Sequence, residues 1–259
     1  MKTHMYFKST TYFACFILCC TNITHASDDE NTTIITRLST GYLEYNLTLP
    51  GVPPIPFQHL DDSSYLLGIG ATIFNERFYF DIYGQTSGDL SDVVNAPSVG
   101  YLETFEGKRT NISFSTGYSI TNQSALYVGY KDGKSDNNGN LGGVYEFKEN
   151  GFFIGGTYGW QVSAKGVISL NAAFAELEGD AKFNTPAVPS YATSIVGKAT
   201  GLSYGIAWRS KLNNQYGYSL SLDHQSYEFK DMIDRALGSV PGTVIEDMLT
   251  LKLSISYEI

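Results

Sequence analysis

Of the four histidines in the chain, only His59 and His224 lie beyond residue 26, and each has neighbours that could do chemistry with it. Asp61 and Asp62 follow His59 closely; Asp223 precedes His224, and Gln225-Ser226 follows it. Paired carboxylates with an Asp-His couple can activate a water, and a His near a Ser can take the proton from a nucleophilic hydroxyl. Spacing decides between these uses, because successive side chains of a strand point to opposite faces. Asp61-Asp62 and Asp223-His224 are adjacent pairs whose members point apart, whereas His224 and Ser226 share a face. A polar cluster ending a strand at the water interface is the plainer account of both, since a short motif without its structural context carries little weight.

The elements that must position these residues follow a leader. Lys2 and Lys8 give a positive start, the apolar run from Tyr12 to Cys20 is far shorter than a membrane span, and Thr24-His25-Ala26 ends in a small residue suited to cleavage before Ser27. Residues 1–26 therefore read as an export signal, 27–36 as a short periplasmic segment and 37–259 as the folded part. A lipoprotein signal fits less well, because Leu18 before Cys19 is not the small residue a lipobox wants. All three cysteines, Cys15, Cys19 and Cys20, leave with the signal. The remainder then has no disulfide, thiolate nucleophile or Cys-ligated metal. Removing Lys2 and Lys8 from the 17 basic residues leaves 15 against 26 acidic ones, a net charge of −11 that disfavours nucleic acid as a partner. At 42% apolar and 14% aromatic the chain is too rich for disorder, and no apolar run is long enough for a helical span. No Gly-rich phosphate loop or metal-ligand cluster is present, so no cofactor is expected.

A period-2 apolar face can be followed strand after strand. The first, about Arg37 to Leu49, places Leu43, Tyr45 and Leu47 opposite Thr40, Tyr42, Glu44 and Asn46. Later ones place Leu67, Ile69 and Ile73 opposite Gly68, Gly70 and Thr72, and Phe78, Phe80 and Ile82 opposite Arg77, Tyr79, Asp81 and Tyr83. The pattern runs on through Ile112 and Phe114, Leu126 and Val128, Phe152 and Ile154, Leu170 and Phe174, Leu202 and Ile206, and Leu220 and Leu222. It ends with Leu249 to Ile259 over Lys252 and Glu258. Ten such stretches predict an all-β fold, a closed antiparallel transmembrane barrel of about ten strands. Short connectors near Asn75, 121–123, 163–165 and 213–215 alternate with long ones at about 50–63, 87–108, 133–150, 179–197 and 230–246. That is the pattern of periplasmic turns and longer extracellular loops. Aromatics near strand ends, among them Tyr45, Tyr65, Tyr118, Trp160, Trp208 and Tyr257, suit an interfacial girdle.

The whole folded part resembles Gram-negative outer-membrane β-barrel proteins of the porin-like or small outer-membrane kind. The segments RFYFDIYGQTSG at 77–88, GLSYGIAWR at 201–209, GYSLSLDHQSYEF at 217–229 and the closing LTLKLSISYEI carry the likeness. The resemblance implies residence in the cell outer membrane, contact with its lipid and lipopolysaccharide, and insertion by the barrel assembly machinery, which reads the last strand. Ile259 stands where such strands usually end in Phe or Trp.

On this reading the inward face carries Glu44, Asp81, Asp223 and Glu258 with Arg77, Arg109, Lys131, Arg209 and Lys252, a near balance that predicts mutual ion pairs more than a one-sign selectivity ring. Ten strands lie close to the number that side chains just fill. Inward glycines (Gly68, Gly70, Gly117, Gly129, Gly155, Gly205) either relieve crowding or leave room for a narrow passage, and the first is favoured. The Asp61-Asp62 and Asp223-His224 pairs resemble those of the omptin proteases without the two-residue spacing. His224-Gln225-Ser226 resembles the His-x-Ser of the lipid A deacylases, with Tyr227 in place of that family's Asn. The expectation is a monomeric, non-enzymatic barrel with a structural or surface-interaction role and at most a narrow pore. A small porin-like channel and a rim hydrolase are the alternatives.

Overall fold

The computed structural model describes residues 32–49, 58–96, 100–163, 166–184, 186, 193–234, 238–239 and 242–259; the expected signal at 1–26 and the Pro-rich stretch 50–57 lie outside them. The strands are β1 (Thr32–Leu49), β2 (Gln58–Asn75), β3 (Phe78–Ser87), β4 (Leu90–Ala96), β5 (Tyr101–Ser119), β6 (Ser124–Gly139), β7 (Val144–Gln161), β8 (Gly166–Asn184), β9 (Thr193–Lys211), β10 (Tyr216–Asp234), β11 (Gly238–Ser239) and β12 (Val244–Glu258). Each long strand pairs antiparallel with its neighbours, in the order β10-β12-β1-β2-β3-β5-β6-β7-β8-β9, and β9 pairs back onto β10. This closes a ten-stranded barrel. β4 continues β3 along the wall, and β11 is a short addition to β10.

The strands are longer than a membrane crossing needs, and their pattern explains why. At about 3.3 Å per residue, an 18- or 19-residue strand outruns the 9 to 11 residues that a tilted crossing takes. The half near the short turns carries apolar residues outward: Leu38, Ile69, Phe80, Phe114, Val128, Ile154, Leu170, Ile206, Leu220 and Leu253 are all exposed. In the half near the loops the arrangement is reversed. There Leu43, Leu47, Leu66, Phe105, Phe147, Leu177, Phe229, Met232 and Val244 are buried in one cluster inside the barrel, with Phe147 and Phe229 edge to face at 5.3 Å. Outward positions at this level hold Glu44, Asp61, Glu106, Asp132, Glu176 and Glu178, all exposed. We call these halves the belt zone and the outer zone.

The reversal overturns the expected facing of the first strand. Leu43, Tyr45 and Leu47 point inward and Glu44 outward, because β1 has already passed from the belt zone into the outer zone at these residues. Tyr45 therefore belongs to no girdle. Much of what the sequence reads as outer loops is strand: β6 runs to Gly139 and β7 begins at Val144, so the connector is short. Glu103 fastens it, accepting from the backbone N–H groups of Leu141 and Gly143 at 2.8 Å each. At the opposite end Arg77 stands exposed in the turn between β2 and β3, next to Glu76 at φ 52°, and takes no part in the lumen.

Between β3 and β4 the wall changes phase. Along β3 the pairing with β5 runs from Phe78↔Tyr118 to Thr86↔Thr110, but β4 resumes at Leu90↔Gly107, one residue out of step. The extra residue forms a bulge at Ser87–Asp89. It exchanges the faces, so Ser87 and Leu90 are both buried.

Candidate functional site

Inside the belt zone the lumen is polar. Arg37 pairs with Asp81 at 2.7 Å and donates to Thr72, and Thr72 donates to Asp81 in turn. Lys252 reaches Asp223 at 3.2 Å, while Ser221 and Asn171 donate to the same carboxylate. Arg209 lies in the field of Arg37, Asp81 and Asp223. The guanidinium of Arg37 and the ammonium of Lys252 share one aromatic ring, each 5.3 Å from the centre of Tyr83. Glu258 sits at the turn-end mouth and pairs with Lys211 at 3.0 Å.

The inward glycines of this chamber are not gaps. A side chain at Gly68 would run into Tyr83, at Gly117 into Tyr79, at Gly129 into Phe153 and at Gly155 into Tyr127. Each glycine is the seat of an aromatic ring from the adjoining strand, so the space a Cβ would take is filled by a larger group.

A second charged group separates this chamber from the apolar interior of the outer zone. Arg109 Nη2 lies 2.6 Å from Glu149 Oε1 and 3.0 Å from Glu246 Oε1, and Lys131 Nζ lies 2.6 Å from Glu149 Oε1. Arg109, Glu149 and Glu246 are wholly buried. Tyr45 donates to Glu246 and accepts from Ser135, with its ring 5.6 Å from the Arg109 guanidinium. Tyr227 carries Lys131 over its ring face at 4.1 Å. Two cations and two carboxylates thus neutralise each other across four strands, with aromatic rings closing the layer. Buried charges are tolerated only when paired in this way. Glu149 Oε2, Glu246 Oε2 and Arg109 Nε keep no hydrogen-bond partner.

Of the inward charges read from the sequence, the structure places Asp81, Arg109, Lys131, Arg209, Asp223 and Lys252 in the lumen and Glu258 at its mouth. It moves Glu44 to the outer surface and Arg77 to a turn. Arg37, Glu149 and Glu246 were missed. The last two fall at the ends of segments read as loops. A shift of apolar parity along each strand, from Phe152 and Ile154 to Tyr145 and Phe147, is the signal that marks them as strand.

The catalytic candidates do not assemble inside the barrel. Asp62 turns inward and Asp61 outward, Asp223 turns inward and His224 outward. His224 packs against Tyr204 with ring centres 5.0 Å apart, and its Nδ1 is buried without a partner. Ser226 shares the outward face, directly opposite Asp247 of β12.

No family model matches the chain, and no curated protein does. Solved structures do. The outer membrane protease OmpT of Escherichia coli superposes with a TM-score of 0.53 at 11% identity, over 92% of this chain and 99% of that one. The outer membrane protein OprG of Pseudomonas aeruginosa (TM-score 0.39, 10% identity, 88% and 96% covered) and the attachment invasion locus protein Ail of Yersinia pestis (TM-score 0.38, 13% identity, 87% and 99% covered) are more distant. The chain has the fold of an outer-membrane β-barrel, and its apolar belt places it in that membrane.

Proposed function

We propose that the chain is a closed, monomeric outer-membrane barrel whose outer zone is its working surface, with a structural or surface-interaction role and at most a narrow pore. The observation that carries this reading is the filled interior of the outer zone, where the Arg109–Glu149–Glu246–Lys131 layer and the Phe147–Phe229 core occupy the lumen above the polar chamber. A passage for solutes needs continuous wet space. Outer-leaflet lipid and lipopolysaccharide are the partners of the belt and its upper edge, and the barrel assembly machinery is the partner during insertion. Conductance of the refolded protein in planar bilayers tests the proposal. A silent bilayer is expected, and discrete steps would replace this reading by the porin-like channel.

One observation favours a second reading, hydrolysis at the lipid rim. Asp247 faces Ser226 from the adjoining strand, and His224 shares their face, so a hydroxyl, an imidazole and a carboxylate stand together at the upper edge of the belt. Directly opposed residues have Cβ atoms about 5 Å apart. If this is an active site, purified protein releases fatty acid from outer-leaflet lipid and His224→Ala abolishes the release. An omptin-like protease has less support, because the two members of each adjacent pair, Asp61-Asp62 and Asp223-His224, point apart.

A further inference from the structure

Among the described residues, the backbone ladder of the outer zone is interrupted between β2 and β4. Up to Leu66↔Ser87 the strands β2 and β3 are paired, and the Gly88 N–H donates to Tyr65 O at 2.8 Å. Beyond that point, among the described residues, β2 pairs only with β1 and β4 only with β5. The bulge at Ser87–Asp89 has shifted the register of β4 so that the ladder to β2 is lost, while parts of the two strands stay within 8 Å of each other, Cα to Cα. Alternate residues of an antiparallel strand direct their backbone groups to the same side. Because Tyr65 O faces the opening, so do the backbone groups of Ser63 and Asp61; because the Ser91 N–H faces it from the other side, so do those of Val93 and Asn95.

One side chain bridges the gap. The Asp62 carboxylate accepts from the Ser63 N–H at 2.7 Å and from the Ser91 N–H across the opening. It stands in for a single rung of the missing ladder. Two facing strand edges with open N–H and C=O groups are complementary to a polypeptide backbone in extended form.

The outward flanks indicate its composition. Glu44 faces Ser63 from β1, Glu106 faces Ser91 from β5, and Asp61 lies on the β2 edge, all exposed carboxylates. Among them Val93 and Leu102 expose 53% and 60% of their surface. A strand that alternates basic and apolar residues meets both features. A second copy of this chain would bring acid against acid.

Resting on the surface-interaction reading above, we propose that the opening between β2 and β4 takes up an extended basic segment of another protein as an added strand, displacing the Asp62 bridge. The probe is a fluorescent peptide alternating Lys and Val, about ten residues long, titrated into the refolded barrel in detergent micelles. Saturable binding is expected. N-methylation of one central residue of the peptide should weaken it about fivefold, since it removes one hydrogen bond worth about 1 kcal/mol and leaves charge unchanged. Val93→Pro should weaken it similarly, because its lost N–H faces the opening and not β5; heat-modifiable migration in gels reports whether that variant has folded. Absence of saturable binding overturns the proposal, as does binding indifferent to both N-methylation and Val93→Pro, which would be attraction of charge alone. Bilayer conductance is read separately: a silent bilayer without peptide binding discards strand uptake and keeps the closed barrel, while steps with peptide binding discard only the closed barrel.

Discussion

The belt zone and the outer zone are built from the same ten strands with the same two-residue period, yet they solve opposite problems. In the belt zone the surrounding medium is apolar, so Phe114, Ile154 and Leu220 face out and the interior holds paired ions such as Arg37–Asp81. In the outer zone the medium is water, so Phe105, Phe147 and Phe229 turn in and form a core like that of a soluble protein. The lesson is that alternation reports a two-sided sheet, whereas the side that is apolar reports the solvent.

The sharpest break in this comparison comes from the charged layer between the zones. Arg109→Met should destabilise the barrel by about 3–5 kcal/mol in urea titrations in micelles, because Glu149 and Glu246 then lose a shared cation in a dry site. Asp81→Asn, in the partly exposed Arg37–Asp81 pair below, should cost much less. Comparable losses would mean that the chamber is as dry as the layer above it.

Next comes the lipid face. Leu220→Arg should cost roughly 2–4 kcal/mol near mid-membrane, while Ser221→Arg enters a lumen where Asp223 is at hand. Equal losses in lipid vesicles would show that the belt is not bathed in hydrocarbon at this depth. A smaller effect, about 1–3 kcal/mol of overpacking, is expected of Gly68→Ala, whose new methyl group meets Tyr83. Shortening the ring partner, as Tyr83→Leu, should recover most of that loss. Additive losses in the double variant would show that the ring does not occupy the glycine's space. Smallest of all is Glu44→Lys, which should leave the unfolding midpoint unchanged. A marked loss there would return Glu44 to the lumen and undo the facing of β1.

The sequence was readable wherever one medium surrounds a strand. The outward faces of β2, β3 and β5 to β10 in the belt zone follow from period and composition alone, and so does the inward setting of Asp81, Arg109, Lys131 and Asp223. Reading failed where a strand crosses from lipid to water, since the period survives the crossing and only its sense changes. Leu43, Tyr45 and Leu47 look like a lipid-facing row for this reason, and Glu149 and Glu246 look like loop acids. The bulge at Ser87–Asp89 hid β4 in the same manner. The backbone opening beside it has no sequence signature, because unpaired N–H and C=O groups belong to every residue alike.

The outward acids just past the belt also fix how deep the molecule floats. Asp132 follows Tyr130, Glu176 follows Phe174 and Asp247 precedes Leu249 on the same outward rows, so each lies two residues from the last lipid-facing side chain. A sinking of about 7 Å, two residues of strand, would draw all three into hydrocarbon at several sides of the wall at once. During insertion these carboxylates must pass through the membrane; afterwards they oppose its reversal, and the barrel rides at one height with its core-filled end held clear of the bilayer.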